Sequence, residues 1–286
     1  MNRITATEAT FDASIQLVAI LRPHLQRAPI MWKFLTCTLL LVSPLAHADQ
    51  CKFQAPRNAA LDLAGVHTLV IDLGQHTLHL NGTATNAAQV HGRACASAQD
   101  RLGALQFTQR REGDRLILTA ENDTSSWTIN FFGASHYAYL DLQVDVPASL
   151  AVELNIGSGD AHVANVDRLA ASVGSGDLQV NGVRNRFDAQ VHSGDITADD
   201  VGETHVASIG SGDFTVNRVR GDIWIGSIGS GNADLRAIGG NVDVKSIGSG
   251  DLNVNGVARD LHVARLGSGE IAQHSVAGQV DIPKDD

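Results

Sequence analysis

One motif limits what this chain can fold into: Gly-Ser-Gly-Asp, or a one-residue variant of it, recurs seven times between Gly157 and Glu270. GSGD starts at Gly157, Gly174, Gly210 and Gly248, HSGD at His192, GSGN at Gly229 and GSGE at Gly267. The fourth residues, Asp160, Asp177, Asp195, Asp213, Asn232, Asp251 and Glu270, lie 17, 18, 18, 19, 19 and 19 residues apart. Between motifs the chain alternates. After Gly248 the apolar set is Leu252, Val254, Val257, Leu261, Val263 and Leu266, with Asn253, Asn255 and His262 between them. A period of two belongs to a half-buried strand. Aligned copies put like on like: Val166, Val183, Val201, Val219, Ile238, Val257 and Val276 in one column, and Val173, Val191, Ile209, Ile228, Ile247 and Leu266 in another. A third column holds Leu178, Ile196, Phe214, Leu252 and Ile271. Such a unit cannot bury its apolar face alone but can do so against identical neighbours. The expected fold is therefore all-β, a parallel β-solenoid of 17–19 residues per coil rising about 4.8 Å at each coil. The GSG step is expected to turn the chain through φ > 0, which glycine reaches without steric penalty. The serine would bond to backbone or to the next serine, and the aspartate would close an Asx-type turn.

Upstream of the repeats, residues 49–156 keep the alternation without the motif. Leu69 with Ile71, Leu78 with Leu80, Leu105 with Phe107, Leu116 with Leu118, Ile129 with Phe131, and Leu140 through Val146 read as strands. Turns are expected at Gly74–Gln75, Asn81–Gly82 and Arg111–Asp114. This half is either irregular early coils or a small β-sandwich capping the solenoid, and early coils are the favoured expectation. An end coil needs cover because its unpaired edge recruits other chains. At the far end, Pro283 to Asp286 make a polar finish to the repeat region 157–286.

Residues 31–48, MWKFLTCTLLLVSPLAHA, carry Lys33, an apolar run from Phe34 to Leu45, and small residues at Ala46 and Ala48. This is the pattern of an export signal. About a dozen apolar residues are too few to span a bilayer, which takes about 20. The expectation is a signal peptide at 31–48, a disordered gene-model extension at 1–30, and a mature chain with no transmembrane span. Loss of Cys37 with the signal leaves Cys51 and Cys95, an even pair suited to an oxidising compartment. They form a disulfide or remain two buried thiols.

A formal net charge of -10 with Lys+Arg at 21 argues against a nucleic-acid partner, which needs clustered cations. Seven serines recurring at one position (Ser158, Ser175, Ser193, Ser211, Ser230, Ser249, Ser268) mark corners, and no GxSxG elbow accompanies them. The histidines His67, His76, His79, His91, His136, His162, His192, His205, His262 and His274 are scattered without HExxH or a cysteine pair, as expected of solvent-facing strand positions. No catalytic residue, cofactor or metal ligand is assigned. Stacked carboxylates about 4.8 Å apart would repel by about 0.9 kcal/mol in water, which keeps a calcium-binding β-roll open as an alternative, alongside a carbohydrate-active β-helix enzyme. Asp199 and Asp200 are adjacent carboxylates in the repeats. Arg218 and Arg220 near Trp224 make a local basic, aromatic patch on which a glycan or envelope polymer could stack, a solvated strand face being the favoured expectation.

The export signal, the Asp145-Val146-Pro147 step and SGD or GSGD every 17–19 residues together resemble the bacterial candidate-adhesin family, exported β-solenoids of uncharacterised function catalogued beside autotransporter adhesin heads. The resemblance runs from about Leu61 to Ile282. It implies a single-stranded, right-handed parallel β-helix, an envelope location and no established catalytic residue. The expected function is thus an exported, non-enzymatic, adhesin-like interaction or structural protein of the cell envelope, in the periplasm or at the cell surface. Its expected partner is an envelope polysaccharide or another envelope protein.

Overall fold

The computed structural model describes residues 51–86, 88–121 and 137–283. The extension 1–30, the export segment 31–48, the expected strand at Ile129 and Phe131, His136 and Lys284–Asp286 lie outside the described residues.

The chain enters through two short strands, β1 (Phe53–Pro56) and β2 (Ala59–Ala60), and then forms β3 (Thr68–Gly74) and β4 (Thr77–Thr83). Next come β5 (Gln89–Ala96), a 3-10 turn at Gln99–Gly103, and the hairpin β6 (Gln106–Glu112) and β7 (Arg115–Glu121). β8 (Ala138–Pro147) and β9 (Ala151–Ile156) lead into the repeats. The first three repeat coils are nearly continuous strands: β10 (Asp160–Val173), β11 (Asp177–Val191) and β12 (Asp195–Ile209). The later, longer coils each split in two. They are β13 (Asp213–Val219) with β14 (Ile223–Ile225), and β15 (Asn232–Ile238) with β16 (Val242–Val244). β17 (Leu252–Val257) with β18 (Leu261–Val263), then β19 (Ile271–Val276) with β20 (Val280–Asp281), complete the stack.

Parallel pairing in the repeats follows the sequence columns. Val166, Val183, Val201, Val219, Ile238, Val257 and Val276 are successive partners. Val173, Val191, Ile209, Ile228, Ile247 and Leu266 form the second row. Alternation along the strands becomes alternation between core and solvent: in β17, Leu252 and Val254 are buried while Asn253 and Asn255 are exposed. The core is a thin sandwich between the two strand segments of each coil. Its two largest fully buried side chains, Phe187 and Phe214, stack with ring centroids 6.4 Å apart. The smaller Thr204 and Ala233 stand next in their columns. Large beside small is how a core of fixed thickness accommodates a ring.

The N-terminal strands do not stack in chain order. β3 pairs in parallel with both β7 and β9, and β4 with both β8 and β10. The rung that is first in chain order, β3–β4, is thus enclosed between the β7–β8 rung and the β9–β10 rung that opens the repeats. Antiparallel strands then line the outer edges, with β6 on β7, β5 on β8, and β1 and β2 on β5. Exposed β6 carries Arg110, Arg111 and Glu112, and β1 ends on Pro56; charge and proline both discourage further strand addition. A disulfide joins Cys51 to Cys95 of β5, tying the entering chain to this end. Asn81 and Gly82, expected at a turn, lie within β4. Gly82 is there because a Cβ would sit 2.0 Å from the Asn165 carbonyl oxygen.

Candidate functional site

The repeated corner is a device for stacking coils, and its glycines act differently from the expectation. No GSG glycine lies in the left-handed region. The third position is glycine in all seven copies because backbone approaches backbone there. A Cβ on Gly176, Gly212, Gly250 or Gly269 would fall 1.7 or 1.8 Å from the carbonyl oxygen of the glycine one coil below. At the first position a Cβ on Gly157, Gly174, Gly210, Gly229, Gly248 or Gly267 would lie 2.3 to 2.8 Å from a carbonyl oxygen of the neighbouring coil, and His192 stands there in the remaining copy. Left-handed backbone occurs instead at the opposite corner, once per coil, at Asn165, Gly182, Asp200, Arg218, Ala237, Gly256 and Ser275.

The acidic residues likewise work between coils and close no Asx turn within one. Asp195 Oδ1 accepts the N–H of Asp213 at 2.9 Å, Asp213 that of Asn232 at 3.2 Å, Asn232 that of Asp251 at 3.2 Å, and Asp251 that of Glu270 at 2.9 Å. A second ladder, not recognised from the sequence, stands at another corner: Asp222 accepts from Asn241 N–H, Asn241 from Asp260, and Asp260 from Gln279, at 2.6, 3.2 and 2.7 Å. Its 19-residue spacing of Asp and Asn was the available signal. Alternating acid and amide keeps like charges two coils apart, so this ladder avoids most of the repulsion of stacked carboxylates. Ser230 and Ser249 hydroxyls lie 3.2 Å apart. Among the described residues, no group of three or more His, Cys, Asp or Glu is placed to hold a metal ion.

The basic, aromatic patch resolves into ion pairs. Arg218 pairs with Asp199 and Arg220 with Asp200, and Arg220 also donates to the carbonyls of Val183 and Arg184. The adjacent carboxylates are therefore partners of the arginines one coil on. Trp224 belongs elsewhere: its ring stacks on His205, centroids 4.1 Å apart and planes 21° apart. Glycine at 226 is required mainly by backbone, since a Cβ there would lie 2.4 Å from the Ala207 carbonyl oxygen as well as 3.0 Å from the Trp224 ring. Most described histidines are exposed, but His76 is fully buried and its Nδ1 accepts the N–H of Leu140 at 3.1 Å. That is the environment of a core residue, because a buried ring nitrogen takes a backbone partner in place of water.

His205 leads to a trough on the outer face of the repeats, about 260 Å³ in volume. Its floor is Ala170 and Ser172 of β10. Glu153 and Asn155 of β9 stand opposite Asp188 and Gln190 of β11, because these are the register partners of the floor residues on either side. Small residues between larger ones make the depression. Arg186 grips Asp188 with two guanidinium nitrogens, 2.7 to 3.0 Å from the carboxylate oxygens; that hydrogen bonding raises the arginine's pKa further above its ordinary value. Arg115 pairs with Glu153, and Asn155 donates to Asp72 at 2.7 Å. Sequence reading missed the trough, since Ala170 and Ser172 are ordinary outward strand residues until their neighbours' sizes are known.

Comparison with known proteins places these features in context. The profile of the family called Toastrack DUF4097 matches residues 66–284. No curated protein sequence matches the chain. Among solved structures, a candidate adhesin from Parabacteroides merdae is similar at 11% identity and TM-score 0.50, over 80% of this chain and 96% of its own. A candidate lipid-binding protein from Parabacteroides distasonis is similar at 17% identity and TM-score 0.47, over 79% and 93%. A candidate adhesin from Bacteroides fragilis is similar at 14% identity and TM-score 0.43, over 81% and 98%.

Proposed function

The chain belongs to the Toastrack DUF4097 family, and from that footing we propose that it is an exported, non-enzymatic β-solenoid serving as an adhesin-like interaction or structural surface of the bacterial cell envelope. The observation that carries this reading is how the repeated polar groups are used. Corner aspartates, asparagines and serines are bonded from coil to coil, so they hold a rigid stack whose outward strand faces display side chains. A rigid, side-chain-decorated sheet can bind with little ordering cost on its own side of the interface. Export is supported by the signal pattern at 31–48 and by the Cys51–Cys95 disulfide, since such bonds persist in oxidising compartments. No helix among the described residues is long and apolar enough to cross a membrane.

Affinity capture from envelope extracts with the chain from Asp49 tests the reading, run beside fractionation of cells expressing the full chain. Expected are retention of an envelope polysaccharide or envelope protein and a matured, disulfide-bonded chain outside the cytoplasm. A cytoplasmic chain with both thiols reduced, or release of cleaved products from bacterial polysaccharides, would overturn it.

A further inference from the structure

We infer that His79 and His162 together form a surface site for a divalent late transition metal of the Zn²⁺ and Cu²⁺ class. The inference goes beyond the interaction-surface reading and does not depend on it.

Position argues first. Among the described residues, register sets two histidines side by side on neighbouring strands at one place, His79 of β4 and His162 of β10. β4 is paired with β8 and β10, and β10 over this stretch with β4 and β11. Both backbones are thus held from two sides, and the two side chains leave the sheet about 4.8 Å apart. Both rings are exposed, each between buried neighbours, Leu78 with Leu80 and Ala161 with Val163. Their centroids are 6.2 Å apart and their planes 43° apart. A metal about 2.0–2.1 Å from one nitrogen of each of two imidazoles holds the ring centroids roughly 5–6.5 Å apart. The pair therefore reaches a chelating arrangement by side-chain rotation alone.

Chemistry then selects the ion. His205 lies 3.7 Å from Asp188, His262 bonds to Asp281 and His192 to the carbonyl of Val173, whereas no hydrogen bond or ion pair engages His79 or His162 among the described residues. A neutral imidazole offers a nitrogen lone pair, the donor that suits zinc, copper and nickel, while calcium and magnesium take oxygen. Asp160, exposed two residues before His162 on the same face, adds negative charge that favours a cation. Two protein ligands leave the other positions of a four-coordinate ion to water, so the ion exchanges with solvent. The two ligands also stand on either side of a joint in the stack. His79 belongs to the enclosed β3–β4 rung and His162 to the first repeat coil, so one ion ties the N-terminal half to the repeats. The unfolded chain does not hold the two rings together, and binding therefore stabilises the fold.

The test is titration of the disulfide-bonded chain, free of any affinity tag, with zinc chloride by calorimetry and histidine-ring NMR and with copper chloride by calorimetry; magnesium and calcium chloride are the controls. Binding of Zn²⁺ is expected in the micromolar range, shifting the ring resonances of His79 and His162, with Cu²⁺ held more tightly and neither control competing. His79→Gln and His162→Gln should each weaken Zn²⁺ binding by about tenfold or more, because the second imidazole acts at high effective concentration. His91→Gln, separated from His79 by Gln143 of β8, should bind as the parent does. Zn²⁺ at about a hundredfold excess over its dissociation constant should raise the parent's melting temperature by about 5 °C or more. The two ligand variants should melt with the parent when metal-free and gain little from Zn²⁺. The inference is overturned if Zn²⁺ does not bind by about millimolar concentration, if either ligand variant binds as the parent does, if His91→Gln weakens binding as much, if magnesium or calcium competes, or if the shifted resonances belong to other histidines. None of these outcomes bears on the interaction-surface reading, which envelope capture tests separately.

Discussion

Glycine serves two different needs in this molecule, and single substitutions separate them. At Gly250 a methyl group would lie 1.8 Å from the Gly231 carbonyl oxygen, a contact relieved only by parting two coils. Gly250→Ala should therefore lower the unfolding free energy by about 3 kcal/mol, the upper range for overpacking, in urea titration. Ser249→Ala, one residue earlier, gives up the bond to Ser230 and should cost about 0.5 kcal/mol. Ala237 presents the opposite case. It adopts φ 54° in a column where its equivalents one coil above and three coils below are Gly256 and Gly182. Left-handed backbone costs a residue with a Cβ roughly 1–2 kcal/mol, of which glycine's extra chain entropy returns about half. Ala237→Gly should raise stability by about 0.5–1 kcal/mol, and a melting temperature unchanged or lowered would show that the corner carries no such strain.

At the scale of strands, each coil depends on its neighbour in two ways. Val257 is 2% exposed and paired with Ile238 and Val276, with apolar side chains above and below. Val257→Asp should destabilise by about 4 kcal/mol, because a buried carboxylate finds no partner there. The corner ladders act through hydrogen bonds instead. Asp222 Oδ1 accepts both the backbone N–H and the side-chain amide of Asn241. Asp222→Ala should cost about 2 kcal/mol and Asp222→Asn less than half of that, since the amide oxygen can still accept. Equal losses for the two variants, measured by chemical denaturation, would mean that the carboxylate's charge matters and its acceptor geometry does not.

For the whole molecule, the two ends of the stack differ. The N-terminal end of the described residues is closed by antiparallel strands and a disulfide, whereas β19 and β20 form the last rung among the described residues and Val280 is 41% exposed. Cys51 and Cys95 are 44 residues apart, and a loop of that length stabilises by about 4 kcal/mol in the chain-entropy model. Replacing both cysteines by alanine should lower the unfolding free energy by up to that amount. Hydrogen exchange should show the loss concentrated in β1, β2 and β5, with the repeats at Val216 and Leu235 still protected; uniform loosening would mean that the closed end and the repeats unfold as one unit.

Much of this architecture was legible in residue order because a solenoid is nearly one-dimensional: each coil touches only the coils before and after it, so spacing translates directly into contact. The columns of Val219, Ile238 and Val257 followed from counting. What counting could not supply was any relation that breaks chain order or depends on relative size. The enclosure of β3 and β4 between β7–β8 and the repeats skips a rung, and nothing local records the skip. Arg218 and Arg220 read as one patch with Trp224 until a coil of rise put Asp199 and Asp200 beside them. The trough exists because Ala170 and Ser172 are smaller than their lateral neighbours, which lie 17 or 18 residues away on either side. Residue order alone determined that like would stack on like; only the tertiary structure decided which rungs adjoin, which charges cancel and where the surface dips, because those depend on distances across the sheet that no single strand contains.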